Sequence, residues 1–339
     1  MKILITGAKG QLGNKLIERL QVPDNRQPTT DYQLILTDSE EMDITDKTMI
    51  ERVLSREKPD FIIHAAAYTQ VDKAEGEGRE LCYKVNAVGT KNLAEIAAEK
   101  DTTLLYISTD YVFPGTGNVP INEDDPTDPV NFYGQTKLEG EKAIQAVCDK
   151  YYIIRTAWLY GELPQGHPGS NFVETMLRLA KERDSISVVS DQIGSPTYTG
   201  DLVGVIAEII FRNRYPELVS GSQNSNAEIL KQVQDDNNEA TVSLIAPEER
   251  SRMKQSSNAP LPYGIYHATG EGEASWYDFA KEIFKQSKVK IGLKPIATAE
   301  YPTPAKRPAY SYLTKAKLNK YGLTMRPWQE ALGEVLEKR

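Results

Sequence analysis

Tyr133 and Lys137 stand four positions apart in a stretch, 131–147, whose apolar spacing predicts a helix. Side chains four positions apart face the same way on a helix, so the ammonium is expected beside the phenol. A free tyrosine has a pKa of about 10, and a neighbouring cation favours its phenolate, which brings the phenol into range for general acid or base catalysis. The pair therefore predicts proton transfer with a substrate. The same spacing recurs at Tyr277 and Lys281, where we expect surface pairing only.

Ser108 closes the predicted strand LLYIS, and Thr109 and Asp110 follow it. Parallel sheets bind their ligands beyond the carboxyl ends of the strands. A hydroxyl at Thr109 can donate to a substrate carbonyl oxygen while Tyr133 supplies the proton. With a nicotinamide on the opposite side, these groups would carry out the reversible reduction of a carbonyl. The alternative for Thr109 is a strand-end hydroxyl that bonds to the backbone.

Three glycines, Gly7, Gly10 and Gly13, lie between the first predicted strand and the first predicted helix. Glycine lets the chain turn sharply and lets a pyrophosphate approach the backbone, and the helix N-terminus adds N–H donors and a partial positive charge. The spacing GxxGxxG is weak by itself, but its place between a strand and a helix indicates a dinucleotide site. A tight turn without a ligand is the alternative.

Asp38 ends the second predicted strand, near the place where an acidic residue accepts hydrogen bonds from a ribose 2′-hydroxyl. Such a residue favours NADH over NADPH, and the alternative is an ordinary loop aspartate. Lys9 and Lys15 could offset the preference, so the choice between the two cofactors stays open.

The elements that must position these groups alternate between short apolar strands and helices through residue 156. Strands rich in Ile and Leu with helices between them predict a parallel sheet covered on both faces. The predicted strands of the first half span 2–6, 34–37, 61–65, 104–108 and 152–156, and its predicted helices span 12–20, 85–98 and 131–147. The predicted elements of the second half are helices at 171–183, 202–211, 275–286 and 328–336, and strands at 186–189 and 264–267.

Two lobes and an insertion account for the length of 339 residues. We assign 1–157 to a dinucleotide-binding domain, to which 186–211 is expected to return. We assign 158–185 and 262–339 to a substrate-binding lobe. The stretch 212–261 is rich in Ser, Asn and Gln and has no long amphipathic pattern, so it is predicted to be a surface insertion. A lid or a partner-binding arm is the functional alternative.

The composition excludes several classes of protein. The formal charge of −8, without any run of Lys or Arg, argues against binding to nucleic acid or to an anionic membrane. Cys82 and Cys148 form no CxxC pair, and the three histidines are scattered, so we expect neither a disulfide framework nor a metal site. No apolar run reaches the roughly 18 residues of a membrane span, and the N-terminus lacks a signal-peptide core. We expect a soluble cytoplasmic protein.

Several longer stretches are far more specific than the glycine turn: ILITGAKGQLG, STDYVF, YGQTKLEGE and DQIGSPTYT. On these stretches, and on matches along the whole chain outside 212–260, the sequence resembles the extended short-chain dehydrogenase/reductases and, within them, the dTDP-4-dehydrorhamnose reductase family. The resemblance implies a Rossmann-type doubly wound parallel sheet with a smaller C-terminal substrate-binding lobe. It also implies the use of NADPH or NADH to reduce the C4 keto group of dTDP-4-dehydro-L-rhamnose, which yields dTDP-L-rhamnose for cell-wall polysaccharide.

By the same resemblance, Tyr133 would be the proton donor, and Lys137 would lower its pKa and bind the nicotinamide ribose. Thr109 would complete the triad, Asp110 would contact the sugar, and Trp158 would pack on the substrate unless it is a buried structural residue. The residues expected to line the dinucleotide, which include the turn glycines and Asp38, are Gly7, Gly10, Gln11, Leu12, Gly13, Asp38, Asp43, Ile44, Ala65, Ala66, Ala67, Thr69, Tyr133 and Lys137.

Lys306 and Arg307 are candidate partners for the substrate's diphosphate, with a solvated basic pair as the alternative. The competing functions are a sugar-nucleotide dehydratase or epimerase and a non-catalytic subunit like the regulatory subunit of methionine adenosyltransferase. Dehydratases of this fold carry Asp-Glu after the triad threonine, and Tyr111 stands where that glutamate would be, which argues against elimination. Retention of the triad argues against a non-catalytic subunit. Metal dependence and oligomeric state stay open, with a homodimer among the alternatives.

Overall fold

The computed structural model describes residues 1–21, 32–167, 169–214 and 261–339. The strands in these ranges are β1 (Lys2–Thr6), β2 (Gln33–Thr37), β3 (Phe61–His64), β4 (Thr103–Thr109), β5 (Tyr151–Thr156), β6 (Leu159–Tyr160), β7 (Ser185–Val189), β8 (Ile193–Gly194), β9 (Thr197–Tyr198), β10 (Gly264–His267), β11 (Ala274–Ser275) and β12 (Gly292–Ile296). The helices are α1 (Gln11–Gln21), α2 (Lys47–Glu57), α3 (Arg79–Tyr83), α4 (Thr90–Glu99), α5 (Phe132–Val147), α6 (Phe172–Glu182), α7 (Thr199–Arg214), α8 (Trp276–Gln286), α9 (Ala316–Lys320) and α10 (Trp328–Glu337).

Six of the described strands form one parallel sheet in the order β10-β5-β4-β3-β1-β2. β3 and β4 are buried along their whole length, as expected where helices cover both faces of a sheet. Ile3 and Ile5 pack with α1 and α7 on one face, and Leu4 packs with α2, α4 and α5 on the other. The predicted doubly wound parallel sheet is confirmed.

The strand order places the topological switch point between β1 and β3, because the chain runs from β1 to β2 in one direction and from β3 to β5 in the other. Open α/β sheets bind ligands in the crevice at such a point. Gly7 follows β1 and Ala65 follows β3. The fold therefore brings the glycine turn and the loop after β3 together.

Two features of the first half differ from the predicted elements. The helix predicted at 85–98 begins with a π-helical segment, Lys84–Gly89, which carries Asn86 and continues into α4. Such π-helical turns often occur at functional sites. Helix α2 has no counterpart among the predicted helices. It begins where the Asp46 carboxylate accepts hydrogen bonds from first-turn N–H groups, and it ends at Lys58 in the left-handed conformation.

Four strands lie in the opposite lobe from the one predicted. β10, assigned with 262–339 to the substrate lobe, is an edge strand of the six-stranded sheet, because Tyr266 is buried in the core beside β5. β7, β8 and β9, in the segment 186–211 expected to return to the first lobe, pair with β12, β11 and β6 of the second lobe. α7, which ends that segment, packs against the main sheet and extends to Arg214. The insertion predicted at 212–261 otherwise lies almost wholly outside the described residues.

The second lobe is built around aromatic side chains. β7, β12, α6, α8 and α10 surround a core in which the Phe279 ring packs against Tyr160, Phe172 and Trp328. α8 begins with a capping box at Ser275, whose hydroxyl accepts a hydrogen bond from a first-turn backbone N–H. No helix within the described ranges is long and apolar enough to cross a membrane.

Two helix-interior glycines provide a matched test of the packing of α5. A Cβ at Gly140 would lie 2.7 Å from the Tyr106 hydroxyl and 2.8 Å from the Asn86 carbonyl oxygen, whereas a Cβ at Gly204 on α7 would meet nothing within 4 Å. We expect Gly140→Ala to lower the free energy of unfolding by about 1–3 kcal/mol. We expect Gly204→Ala to raise it by up to about 1 kcal/mol, from helix propensity alone. Urea unfolding measures both, and equal effects would contradict the close packing of α5.

Candidate active site

The glycine turn packs directly on the loop after β3. Gly7 has φ +68°, and a Cβ there would lie 2.8 Å from Cα of Ala66. A Cβ at Gly13 would lie 2.2 Å from the carbonyl oxygen of Gly7. The backbone N–H of Ala66 donates to Oγ1 of Thr6 at 3.2 Å, which joins the two segments. Both positions require glycine, because the backbones approach too closely for a side chain.

Gln11 supplies an observation that points to an anionic ligand at this turn. Its Nε2 is buried and has no hydrogen-bond partner within the described parts of the chain. Gln11 is also the first residue of α1, whose N-terminus adds N–H donors and a partial positive charge. A buried amide donor beside a helix N-terminus matches a phosphate oxygen. The residues present therefore fit the pyrophosphate of a dinucleotide.

Asp38 lies against the same turn, where its Oδ2 accepts a hydrogen bond from the backbone N–H of Lys9 at 3.1 Å. The Lys9 ammonium pairs with Glu40 at 2.8 Å, and the Lys15 ammonium pairs with Glu18 at 2.9 Å. Both cations that could attract a 2′-phosphate thus have carboxylate partners already. The preference between NADH and NADPH stays open and is left to experiment.

Asp43 and Ile44, expected near the adenosine, both have structural partners. Oδ1 of Asp43 accepts hydrogen bonds from the backbone N–H and the hydroxyl of Thr45, at 2.8 and 2.9 Å. Ile44 is buried against the π-helical segment, where a Cβ at Gly89 would lie 2.8 Å from its Cγ1. These contacts fix the loop after β2, and the contact with adenosine stays a prediction.

The loop after β3 is held by Asn86, to which the sequence reasoning assigned no role. Its Oδ1 accepts a hydrogen bond from the backbone N–H of Tyr68 at 2.8 Å, and its Nδ2 donates to the Tyr68 carbonyl at 3.0 Å. Nδ2 also lies 3.2 Å from Oγ1 of Thr136 on α5. The predicted cofactor residues on the loop are Ala65, Ala66, Ala67 and Thr69.

Thr109 and Tyr133 meet at the carboxyl end of β4. Oγ1 of Thr109 donates to Oδ1 of Asp110 at 3.0 Å and accepts a hydrogen bond from the backbone N–H of Tyr111 at 3.2 Å. Burial raises the pKa of Tyr133 above its ordinary value, and the nearby Thr109 hydroxyl acts in the opposite direction. The pKa of Tyr133 is thus shifted upward, whereas the Tyr–Lys spacing predicts a downward shift. The phenol is therefore neutral in this structure and holds the proton that a reduction would require.

Lys137 does not direct its charge at the phenol. Its Nζ donates to the Ile107 carbonyl oxygen at 2.7 Å and lies 4.0 Å from the centre of the Tyr106 ring. Burial lowers the pKa of Lys137 to about 7, while the nearby Glu141 carboxylate raises it. Burial is the largest cause of the raised Tyr133 pKa in this structure, and the lowering of that pKa by Lys137 stays a prediction.

Asp110 is a buried carboxyl group beside Thr109 and is only 2% exposed. Burial raises the pKa of Asp110 to about 6, and hydrogen bonds from Ser311 and Thr109 act in the opposite direction. Its Oδ2 is buried and has no hydrogen-bond partner in the described structure. A free acceptor next to the reacting hydroxyls suits the hydroxyl groups of a sugar.

Arg307 is engaged by a carboxylate of the first lobe. Its Nη1 and Nη2 donate to the two carboxylate oxygens of Asp72 at 2.5 and 2.7 Å, and Nη1 also donates to the Ala305 carbonyl oxygen at 2.7 Å. Such a two-pronged pair is the strongest form of this interaction. The neighbouring Lys306 contributes its carbonyl oxygen to Nδ2 of Asn131 at 2.8 Å. Arg307 thus links the two lobes, and its contact with a diphosphate stays a prediction.

Trp158 has a strained backbone and one covered face. Its φ is +48°, which is rare for a bulky residue and is found most often at functional sites. Its ring stacks on Trp276 with centroids 3.6 Å apart and an interplanar angle of 9°. A Cβ at Gly194 would lie 2.8 Å from the edge of the ring. The residue is half-buried, and its packing on a substrate stays a prediction.

His64 and the second Tyr–Lys pair have structural partners. His64 is buried at the end of β3, with Nδ1 2.8 Å from Oγ1 of Thr6, and burial lowers its pKa to about 3. Tyr277, of the second Tyr–Lys pair, packs against the core of the second lobe, while Lys281 lies on the same helix, α8. Within the residues that the structure describes, no three His, Cys, Asp or Glu side chains cluster as metal ligands would.

Comparison with known proteins decides the family. The RmlD substrate binding domain matches residues 1–222 and 222–339. A dTDP-4-dehydrorhamnose reductase from Aggregatibacter actinomycetemcomitans is 38% identical over 341 residues, which cover 98% of each chain. The chain belongs to the dTDP-4-dehydrorhamnose reductase family.

Solved structures of this family have the same architecture. The reductase from Clostridium acetobutylicum has a TM-score of 0.79 at 38% identity and covers 100% of this chain and 99% of its own. The reductase from Bacillus anthracis, solved in complex with NADP, has a TM-score of 0.78 at 35% identity, with coverage of 100% and 99%. The UDP-glucose 4-epimerase of Thermus thermophilus, at 17% identity and a TM-score of 0.67 over 99% and 98% of the chains, shares the fold alone.

The buried Asp110 predicts a pH-dependent stability. Its pKa is raised from 3.8 in the unfolded chain to about 6 in the folded one, so the native state holds the proton more tightly. The stability of the wild type should therefore fall as pH rises from about 4 to about 6, by about 3 kcal/mol. Asp110→Asn removes this loss.

Urea unfolding at acidic and neutral pH measures the difference. Relative to the wild type, Asp110→Asn should gain stability as pH rises. Asp191→Asn is the control with the opposite sign: burial acts to raise the Asp191 pKa, but hydrogen bonds from Thr298 outweigh it and lower the pKa in the folded state. The stability that this carboxylate contributes is present above about pH 4 and is lost only at lower pH. If the free energy of unfolding of Asp110→Asn differed from that of the wild type by the same amount at both pH values, the raised pKa of a buried Asp110 carboxyl would be contradicted.

Proposed function

We propose that the protein reduces the C4 keto group of dTDP-4-dehydro-L-rhamnose with NADPH or NADH and forms dTDP-L-rhamnose. Relatives named dTDP-4-dehydrorhamnose reductase, 38% and 36% identical over nearly the whole chain, support this activity. The observation that carries the proposal is that Thr109 and Tyr133 lie near each other at the carboxyl end of β4, on the same edge of the parallel sheet as a turn built for a dinucleotide. Two hydroxyl donors converging at one point suit a carbonyl oxygen that gains charge.

The cofactor would lie across the switch point of the sheet. Gly7, Gly10, Gly13 and the Gln11 amide would hold its pyrophosphate, and the loop after β3 would lie along its nicotinamide half. The Bacillus anthracis relative, which contains NADP, supports this placement. When bound, the nicotinamide supplies the hydride. The remaining proposed contacts of the cofactor are Leu12, Asp38, Asp43, Ile44, Tyr133 and Lys137.

Tyr133 is the proposed proton donor because burial keeps its phenol neutral. It would give its proton to the oxygen at C4 as that oxygen becomes negative. The Thr109 hydroxyl, which donates to Asp110 in this structure, would turn to the same oxygen and stabilise the developing charge. The Lys137 ammonium would bind the ribose of the nicotinamide and offset the charge of the phenolate that is left.

The substrate would extend from this oxygen into the second lobe. Oδ2 of Asp110 would accept a hydrogen bond from a sugar hydroxyl, which supplies the partner that this buried oxygen lacks among the described residues. Trp158, which is stacked on Trp276 on one face, would offer its other face to the sugar or the thymine.

Elimination of water is disfavoured by Tyr111. A dehydratase of this fold carries a glutamate at this position as a second acid, and here a tyrosine stands close to the Arg307 guanidinium instead. This observation favours a reductase over a dehydratase.

Location and assembly are part of the proposal. The two cysteines, Cys82 and Cys148, are buried and unbonded, which supports a reducing compartment such as the cytoplasm. The net charge of −8 supports a protein that does not bind nucleic acid. A homodimer stays a prediction, which sedimentation velocity tests.

Turnover with the sugar nucleotide is the direct test of the reductase. We expect purified protein to oxidise NADPH or NADH, followed by absorbance, when dTDP-4-dehydro-L-rhamnose is added. The ratio of the two rates measures the cofactor preference that the sequence leaves open. No oxidation of either cofactor in a folded protein would refute the proposal and leave a non-catalytic function.

Tyr133→Phe tests the proton donor. Only the hydroxyl is removed, so the cofactor should still bind while kcat falls by about 100- to 10,000-fold. Tyr277→Phe is the matched control, because it makes the same change in the second Tyr–Lys pair and should leave kcat near that of the wild type. If the Tyr133 variant kept wild-type turnover, another group would be the acid.

A further inference from the structure

Glu141 is a buried carboxylate in the same helix as Tyr133 and Lys137. It is fully buried with Arg155, whose Nη2 donates to Oε2 at 2.8 Å and whose Nε donates to Oε1 at 3.0 Å. The Ser108 hydroxyl also donates to Oε1 at 2.5 Å. Ser108 and Arg155 are register partners on β4 and β5. One carboxylate therefore ties α5 to two neighbouring strands.

This tie connects the two halves of the triad. Ser108 directly precedes Thr109 on β4, and Glu141 follows Tyr133 and Lys137 at successive intervals of four on α5. Residues at these intervals share one face of a helix. When Glu141 is fixed to Ser108, the face that carries the phenol and the ammonium is fixed relative to the Thr109 hydroxyl.

Glu141 is also a source of negative charge for Lys137, since its carboxylate raises the pKa of that ammonium. The His64 imidazole is neutral at neutral pH because burial lowers its pKa to about 3. Burial raises the pKa of Tyr106 and of Cys82, so both stay neutral, as does the Tyr133 phenol. The groups that interact with Lys137 from the elements packed around it are His64 of β3, Tyr106 of β4, Cys82 of α3 and Glu141 of α5, and Tyr133 stands one helical turn before it on α5.

We propose that Glu141, held by Arg155 and Ser108, is a positioning residue for the reduction: it keeps the buried Lys137 ammonium charged and sets the spacing between Thr109 and Tyr133. The inference rests on the proposed reductase function. A buried ion pair is weak evidence of a contribution to stability. The proposal instead gives the Glu141–Arg155 pair a role in catalysis.

Two single variants separate the charge of Glu141 from its position. Glu141→Gln keeps an oxygen that accepts from Ser108 but removes the charge. The basic midpoint of the pH profile of kcat/KM should then move to lower pH by about one unit or more, because Lys137 loses its proton more easily. Ser108→Ala removes the hydrogen bond and keeps the charge. It should lower kcat about tenfold and leave that midpoint in place.

A second readout does not depend on turnover. The affinity for NADPH, measured by cofactor fluorescence across the same pH range, should show the same downward shift in Glu141→Gln, since the Lys137 ammonium binds the ribose. Asp201→Asn is the control: it removes the carboxylate of an ion pair with Arg326 in the second lobe and should leave both midpoints unchanged.

A folding failure would not leave the proposal untested. If Glu141→Gln does not fold because Arg155 is left unpaired, Glu141→Gln with Arg155→Gln removes both charges, and the midpoint should move in the same direction. An unshifted midpoint in whichever of these variants folds, or an unchanged kcat in Ser108→Ala, would overturn the proposal. Absent turnover in the wild type would instead refute the reductase function itself.

Discussion

The burial of the Lys137 ammonium is the interaction on which the rest of the site depends. A cation removed from water needs fixed partners, and here they are the Ile107 carbonyl oxygen, the face of the Tyr106 ring and the nearby Glu141 carboxylate. The helix that carries the cation must therefore lie close against β4. Gly140 allows this approach, because no side chain separates α5 from the Tyr106 hydroxyl.

The sheet imposes a second constraint, which determines where the chemistry can occur. Parallel strands present their carboxyl ends at one edge, and the switch between β1 and β3 opens a crevice there. Gly7 lets the turn after β1 approach Ala66 closely. Thr109 ends β4, the strand next to β3. A dinucleotide at the crevice would therefore lie beside the hydroxyls that act on a carbonyl. The second lobe contributes Trp158 and the link from Arg307.

Local patterns predicted the six strands of the main sheet, the strand β7 and the turn between β1 and α1, because each depends on neighbours in sequence. Properties that depend on packing did not follow from those patterns. The strand β12 contains Pro295 and two exposed side chains, so its sequence resembles a loop. The π-helical turn at Asn86 and the ion pair between Asp72 and Arg307, 235 residues apart, arise only in the folded chain. The raised pKa of Tyr133 has the same origin, since burial causes it.

The central claim is that the Thr109–Tyr133 pair directs reduction to carbon 4 of the sugar. The measurement that tests it most directly uses NADPH deuterated at its transferable position, with dTDP-4-dehydro-L-rhamnose as substrate and NMR of the product. The account predicts one deuterium on carbon 4 and none elsewhere on the sugar. Deuterium at another carbon, or a product without deuterium, would contradict it.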